Sequence, residues 1–203
     1  MAPWRRSGAS ASGDRWIVVG LGNPGERYAD TRHNAGARVV DVLLERAGAS
    51  LKRHKSGCLV AEVALAGERA VLARPVSYMN DSGGPVRALA SWYKAPSERV
   101  VVVHDEIDLP FGAVRVKAGG GTAGHRGLDS IVAHLGTKDF VRVRVGVGRP
   151  RGARDAVDHV LAGFSSSERK ELPDLLERSA DAVERILEAG AERAMNEFNT
   201  RAG

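Results

Sequence analysis

The stretch Val100-Val101-Val102-Val103-His104-Asp105-Glu106-Ile107-Asp108 decides how the rest of the chain is read. Four β-branched residues in a row, with no polar alternation, fit a central strand covered on both faces, as in the parallel part of an α/β sheet. The polar residues follow directly at the carboxyl end of that strand, the end at which α/β sheets hold their ligands. A second apolar run, Trp16 to Leu21, ends in Gly22-Asn23-Pro24-Gly25 and reads the same way, as a buried strand running into a turn.

Between the two runs, Val39, Val40, Leu43 and Leu44 recur at three-to-four spacing up to Gly48. This predicts an amphipathic helix with Asn34 as its N-cap and His33 just outside its amino end. Cys58 to Leu65 and Ala70 to Ala73 read as strands of a hairpin turning at Ala66-Gly67-Glu68-Arg69, which makes the sheet mixed. Arg74 to Asn80 is then a loop, and Val86, Leu89, Ala90 and Tyr93 mark a helix. Beyond the valine run come a strand from Gly112 to Lys117, the glycine-rich Gly119-Gly120-Gly121-Thr122-Ala123-Gly124, and a helix from His125 to Leu135. Phe140 to Gly148 alternates, with Val141, Val143, Val145 and Val147 on one face and Arg142 and Arg144 on the other, a face that the alternation places outside the core. After a linker at 148–154, Ser165-Ser166-Ser167-Glu168 opens a C-terminal helix reaching toward Phe198. The expectation is one α/β domain over residues 16–203, a twisted mixed β-sheet flanked by helices. Met1 to Arg15, small, polar and basic without an apolar h-region, is expected to be a disordered extension.

Composition sets bounds on function. Of 203 residues 43% are apolar and 27% charged, which is ordinary for a globular domain. The single cysteine, Cys58, excludes an internal disulfide framework and a cysteine zinc cluster and fits a reducing compartment. No apolar run approaches the roughly 18 residues of a membrane span. Lys and Arg number 30 against 25 Asp and Glu, net +5, beside 24 glycines. That balance suggests an anionic partner approached by bare backbone, and equally a surface that merely keeps the chain soluble.

Three polar residues fall at element junctions: Asn23 after the first strand, His33 before the first helix, and Asp105 after the valines. An imidazole beside a carboxylate makes a general base, because the carboxylate fixes the ring tautomer and stabilises the imidazolium formed on proton abstraction. Cys58 lies within a strand and no serine sits in a Gly-x-Ser-x-Gly elbow, so water is the natural nucleophile. Asn23 and Asn80 are the available amides for a developing oxyanion. Taken singly, each residue has a plainer role: His33 and Asn80 as caps, Asn23 as a turn residue, Asp105 as an ion-pair partner. His104, Asp105, Glu106 and Asp108 have the composition of a metal cluster, but alternate strand residues face apart, and no metal or other cofactor is expected. The glycine run before a helix start resembles a phosphate cradle without the spacing of a nucleoside-triphosphate loop. With Arg115 and Lys117 upstream and Arg126 downstream it fits a nucleic-acid backbone, or else a flexible loop.

Five segments in order carry a resemblance. Val19 to Tyr28, Thr31 to Gly36, Pro75 to Gly83, His104 to Pro110 and Gly119 to Gly127 resemble the motifs of the bacterial-type peptidyl-tRNA hydrolase family, over nearly everything after residue 15. The resemblance implies hydrolysis of the ester between a peptide and the terminal ribose of tRNA, in a cytoplasmic, monomeric enzyme without a membrane partner. It implies His33 as proton acceptor, Asp105 as the group holding it, Asn23 as the amide that tells a blocked amine from a free one, and Asn80 near the scissile carbonyl. It further implies Tyr28 and Tyr78 on the substrate surface and Arg115, Lys117 and Arg144 as tRNA contacts. One departure stands out: Gly124-His125-Arg126-Gly127 has arginine where the family usually has asparagine. Arginine accepts no hydrogen bond, so any acceptor role of that amide is lost, while a phosphate contact is gained as an option. The second reading is a non-catalytic RNA-binding relative of the same fold, against which the intact Asn23, His33, Asn80 and Asp105 stand.

Overall fold

In the computed structural model, which describes residues 14–150 and 155–200, the valine run lies in the interior of a seven-stranded sheet, next to its central strand. The strands are β1 (Trp16–Gly20), β2 (Lys52–Arg53), β3 (Cys58–Leu65), β4 (Glu68–Pro75), β5 (Val100–Glu106), β6 (Val114–Ala118) and β7 (Val141–Gly146). Their order across the sheet is β2-β3-β4-β1-β5-β7-β6. β4, β1, β5 and β7 run parallel, and β2, β3 and β6 join antiparallel at the edges, so the mixed sheet is as expected.

The helices are α1 (Glu26–Ala29), α2 (Ala35–Ala47), α3 (Gly83–Tyr93), α4 (Arg126–Leu135), α5 (Ala156–Leu161), α6 (Ser166–Ala189) and α7 (Ala191–Phe198). They build two layers. Val101 and Val103 face the core under α2, α6 and α7, and Val100 and Val102 face the core under α3 and α4. All four valines are fully buried, which is why the run carries no polar residue. Among the described residues no helix is long and apolar enough to cross a membrane.

The close seating of α2 decides where its amino end lies. A Cβ on Gly36 would come 2.1 Å from the carbonyl oxygen of Val103, and one on Gly20 would come 2.3 Å from that of Gly36. Two glycines therefore let the helix touch β1 and β5 backbone to backbone, and the 3-10 turn Arg32–Asn34 that leads into it sits at the carboxyl end of β5.

Several boundaries differ from the sequence reading. Ala66 and Gly67 alone form the hairpin turn, both at positive φ (51° and 78°), a two-residue geometry that matches strand twist, so β4 starts at Glu68. Asn34 does not cap α2 with its side chain, which is engaged at Asn23 instead. The C-terminal helix is two helices: Ser165 and Glu168 form a capping box at the start of α6, and Gly190, at φ 85° and ψ 164°, breaks the run before α7. The break folds α7 onto β6, where the Asn199 amide accepts from Val116 N–H and donates to Val116 C=O, pairing the sheet edge like one more strand residue. α5 was not read from sequence at all. Part of the predicted linker, residues 151–154, and most of the predicted extension, residues 1–13, lie outside the described residues. Arg15 already pairs with Glu62 at 3.0 Å.

The arginine face of β7 needs the largest correction. Arg142 is 2% exposed. Its guanidinium lies 4.8 Å from the Phe140 ring centroid and donates to the carbonyls of Gly120 and Gly121, both at 2.6 Å. The alternation gave the face correctly; the glycine-rich loop folds down over it and is held there by the charge.

Candidate active site

The carboxyl ends of β4, β1 and β5 open into a cleft of about 280 Å³. Its centre is Asp105, 2% exposed near the end of β5. One carboxylate oxygen, Oδ1, lies 2.9 Å from His33 Nδ1 and 3.0 Å from His125 Nε2. His33 is brought there by the turn entering α2. Arg32 anchors that turn from the other side, donating to Gly163 C=O at 2.6 Å and pairing with Glu168 at 2.7 Å. His125 is brought there as the N-cap of α4, its Nδ1 accepting the Leu128 N–H at 3.3 Å.

These bonds assign the protons. Nδ1 of His125 accepts, so in the neutral ring its Nε2 carries the hydrogen given to Asp105. Asp105 as a carboxylate can only accept, so His33 Nδ1 donates, and His33 Nε2 is left as the basic nitrogen. Burial by itself would raise the Asp105 carboxyl, but the attractions of His125 and His33 and their hydrogen bonds outweigh it and hold the group well below the usual carboxylate range. His104 lies beside this centre, its ring edge-on to His125 with centroids 4.9 Å apart and its Nδ1 donating to the Asp105 carbonyl at 2.7 Å. Burial, with His125 next, pushes it down to about 3, so it stays neutral.

Asn23 is held at three points. Its N–H donates to Asn34 Oδ1 and its C=O accepts from Asn34 Nδ2, both at 2.9 Å. Its side-chain Oδ1 accepts the Met79 N–H at 2.8 Å. With the oxygen taken, the group that Asn23 offers to the cleft is its NH₂, a donor. Asn80, exposed on the turn Met79–Asp81, lines the same cleft, as do Tyr28 and Tyr78, whose rings meet edge to face at 6.4 Å. Arg126 lines it from the first turn of α4. Val157 and Leu161 of α5 close one side and are exposed apolar residues, at 42% and 39%.

The cleft thus brings together Asn23, Tyr28, His33, Tyr78, Asn80, Asp105 and Arg126. Arg115, Lys117 and Arg144 are not among its lining residues; they lie on β6 and β7. Arg144 pairs with Glu106 at 3.1 Å, and Arg115 donates to the Phe198 carbonyl at 3.1 Å. Lys117 lies against Gly120 of the glycine loop. The reading of isolated residues missed His125, although it stands before a helix start as His33 does. His33, Asp105 and His125 also offer three donor atoms within 4.8 Å of one another, a spacing that a metal ion could use. As arranged, both nitrogens facing Asp105 are hydrogen-bond donors.

A cleft at the carboxyl edge of a mixed α/β sheet, mostly apolar but centred on a buried carboxylate that holds two imidazoles, has the makings of an enzyme that activates water by proton transfer. The sequence profile of the peptidyl-tRNA hydrolase family matches residues 17–203. The peptidyl-tRNA hydrolase of Frankia alni is 59% identical over 184 residues, 91% of this chain and 93% of that protein. That of Kineococcus radiotolerans is 53% identical over 196 residues, covering 93% and 99%. The crystal structure of the Acinetobacter baumannii enzyme superposes with a TM-score of 0.86 at 34% identity, over 95% of this chain and 98% of that one. The chain belongs to the peptidyl-tRNA hydrolase family, hydrolases that act on an ester bond.

Proposed function

We propose that this chain hydrolyses the ester between peptide and tRNA with a water activated by His33. The observation that carries the reading is the forced tautomer: Asp105 binds Nδ1–H, so Nε2 is free to take a proton. Water attacks the ester carbonyl as Nε2 removes its proton, and Asp105 stabilises the imidazolium. The tetrahedral intermediate then collapses, the proton passes to the departing ribose oxygen, and free tRNA and a peptide carboxylate result. The amide of Asn80, which lines the same cleft, donates to the oxyanion in this reading.

Asn23 supports selection of a blocked amine. Its free group is a donor, which a peptide carbonyl can accept and a free ammonium, with donors only, cannot. Tyr28 and Tyr78 give the peptide an aromatic wall, and Arg126 a charge for a phosphate of the acceptor end. Lys117 and Arg144 contact the tRNA backbone, and Arg115 adds to their field. The substrate is a product of translation, so the enzyme is proposed to act in the cytoplasm, and as a monomer, since one chain supplies every group named. The intact proton relay favours this reading over a relative that only binds RNA.

Single-turnover release from N-acetyl-aminoacyl-tRNA, compared with free aminoacyl-tRNA, tests the proposal, with the blocked substrate expected to be strongly preferred. His33→Ala is expected to lower the rate by about two to four powers of ten with tRNA affinity unchanged. Equal rates on the two substrates, or affinity lost along with rate, would overturn it.

A further inference from the structure

The formal excess of +5 has an address away from the cleft. Leu51 to Ala61 and Ser82 to Ser97 contain Lys52, Arg53, Lys55, Arg87 and Lys94 and no Asp or Glu, so in the rest of the chain cations and acids cancel. The fold brings these two acid-free stretches together. His54 lies 5.7 Å from Trp92 and 6.1 Å from Tyr93 between ring centroids, and Lys55 Nζ lies 3.4 Å from the centre of the Trp92 ring. All five cations are exposed, and none makes an ion pair among the described residues. Of the acids that adjoin the patch, Glu62 is taken by Arg15 and the Tyr93 hydroxyl, while Asp81 and Glu98 flank the second stretch and pair with none of the five cations.

Local hydrogen bonds brace the part of the patch that carries Lys55. His54 Nδ1 accepts the Ser56 N–H at 3.1 Å, Gly57 turns the chain at φ 85°, and its carbonyl accepts from Val76 N–H. Lys55 is thereby held on the Trp92 face by a cation–π contact, and less side-chain freedom is lost when it meets an anion. Charges on an edge strand such as β2 keep other strands from pairing with it, which accounts for Lys52 and Arg53. It does not account for Lys55, Arg87 and Lys94, nor for a Trp92 that is 53% exposed.

We propose that the β2–α3 surface is a second RNA-docking site, which takes backbone phosphates of the tRNA body while the acceptor end occupies the cleft. α3 starts beside the turn carrying Asn80, and at 1.5 Å per residue Trp92 lies only about 14 Å further along it. A structured RNA with its end in the cleft presents phosphates at that range, and the unpaired cations match them in charge. This inference rests on peptidyl-tRNA being the substrate.

The test uses the triple variant Lys52→Ala/Arg53→Ala/Lys55→Ala and the wild type on two substrates: N-acetyl-aminoacyl-tRNA, and the same acyl group on a CCA trinucleotide that lacks the tRNA body. Wild-type turnover of the full substrate checks the underlying reading, and its absence would refute that reading itself. Given turnover, the variant is expected to show a KM for full tRNA raised about tenfold or more, with kcat unchanged and a salt slope reduced by about one unit per lost phosphate contact. Its kinetics on the trinucleotide substrate are expected to match the wild type. An unchanged KM for full tRNA overturns the proposal, as does an equal loss on both substrates, which would mark a structural effect. Trp92→Ala, which frees Lys55 from its anchor, is expected to reproduce part of the KM rise.

Discussion

Two arrays of positive charge sit at opposite edges of the same sheet and are used differently. On β6 and β7, Arg115 lies opposite Arg144 and Lys117 opposite Arg142, pairs of like charge that are destabilising when left alone. Here the fold supplies acceptors: two glycine carbonyls for Arg142, Glu106 for Arg144 and the Phe198 carbonyl for Arg115. At the β2–α3 edge the cations have no such acceptors among the described residues. A count of lysines and arginines does not separate the two cases. What separates them is that the chain brings an oxygen to meet three of the four β6–β7 charges, all but Lys117; a buried guanidinium without one would not be tolerated.

Substitutions can break or sharpen this contrast. The largest effect is expected for Arg142→Ala, which removes two charge-assisted bonds and releases the glycine loop; about 3 kcal/mol should be lost in urea unfolding. A loss under about 1 kcal/mol would mean that the loop holds itself and that Arg142 is no more structural than Lys55. Arg144→Ala strips Glu106 of its partner and should cost about 1 to 2 kcal/mol, with a smaller effect on tRNA binding than Lys117→Ala, whose charge is unpaired. Lys55→Ala should stay within about 0.5 kcal/mol of wild type in unfolding, so that its consequence is seen only with RNA.

Acid separates buried from exposed groups in the same way. The His104 ring takes a proton only at about 3 when folded, against 6.5 ordinarily. Between those values the unfolded chain binds the extra proton, so stability falls as pH drops through that window. Asp105, held low by its histidines, adds its own loss below the ordinary carboxylate range as the folded group is protonated. In His104→Gln the decline between 6.5 and 3 is expected to flatten while the lower one remains, as followed by unfolding at stepped pH.

Much of this molecule can be read from its residues because burial leaves a pattern. The valines, the α2 stripe of Val39, Val40, Leu43 and Leu44, and the strands flanking Ala66-Gly67 each show in the sequence what they do in the core. Asn23, His33, Asp105 and Asn80 could be singled out because they stand at strand and helix ends. α5 escaped because six residues are too few for a helical period, and its apolar Val157 and Leu161 face the cleft rather than the core. Gly190 was read through because the apolar spacing continues on both sides of it. Arg142 was misplaced because alternation tells which face a side chain takes and nothing about what later folds onto that face. The sharing of one Asp105 oxygen by two histidines joins residues 72 and 20 positions away, a relation that no local spacing encodes.

The Asn199 amide on Val116 gives the tail of the chain a duty apart from catalysis. A sheet ends in unpaired peptide groups, and β6 is an edge of this one. One asparagine side chain, held by an eight-residue helix, fills the place where another molecule's strand would begin to add. A chain clipped after α6 would keep its cleft and its relay and yet carry an open template for copies of itself, so that its failure would be one of self-association rather than of chemistry.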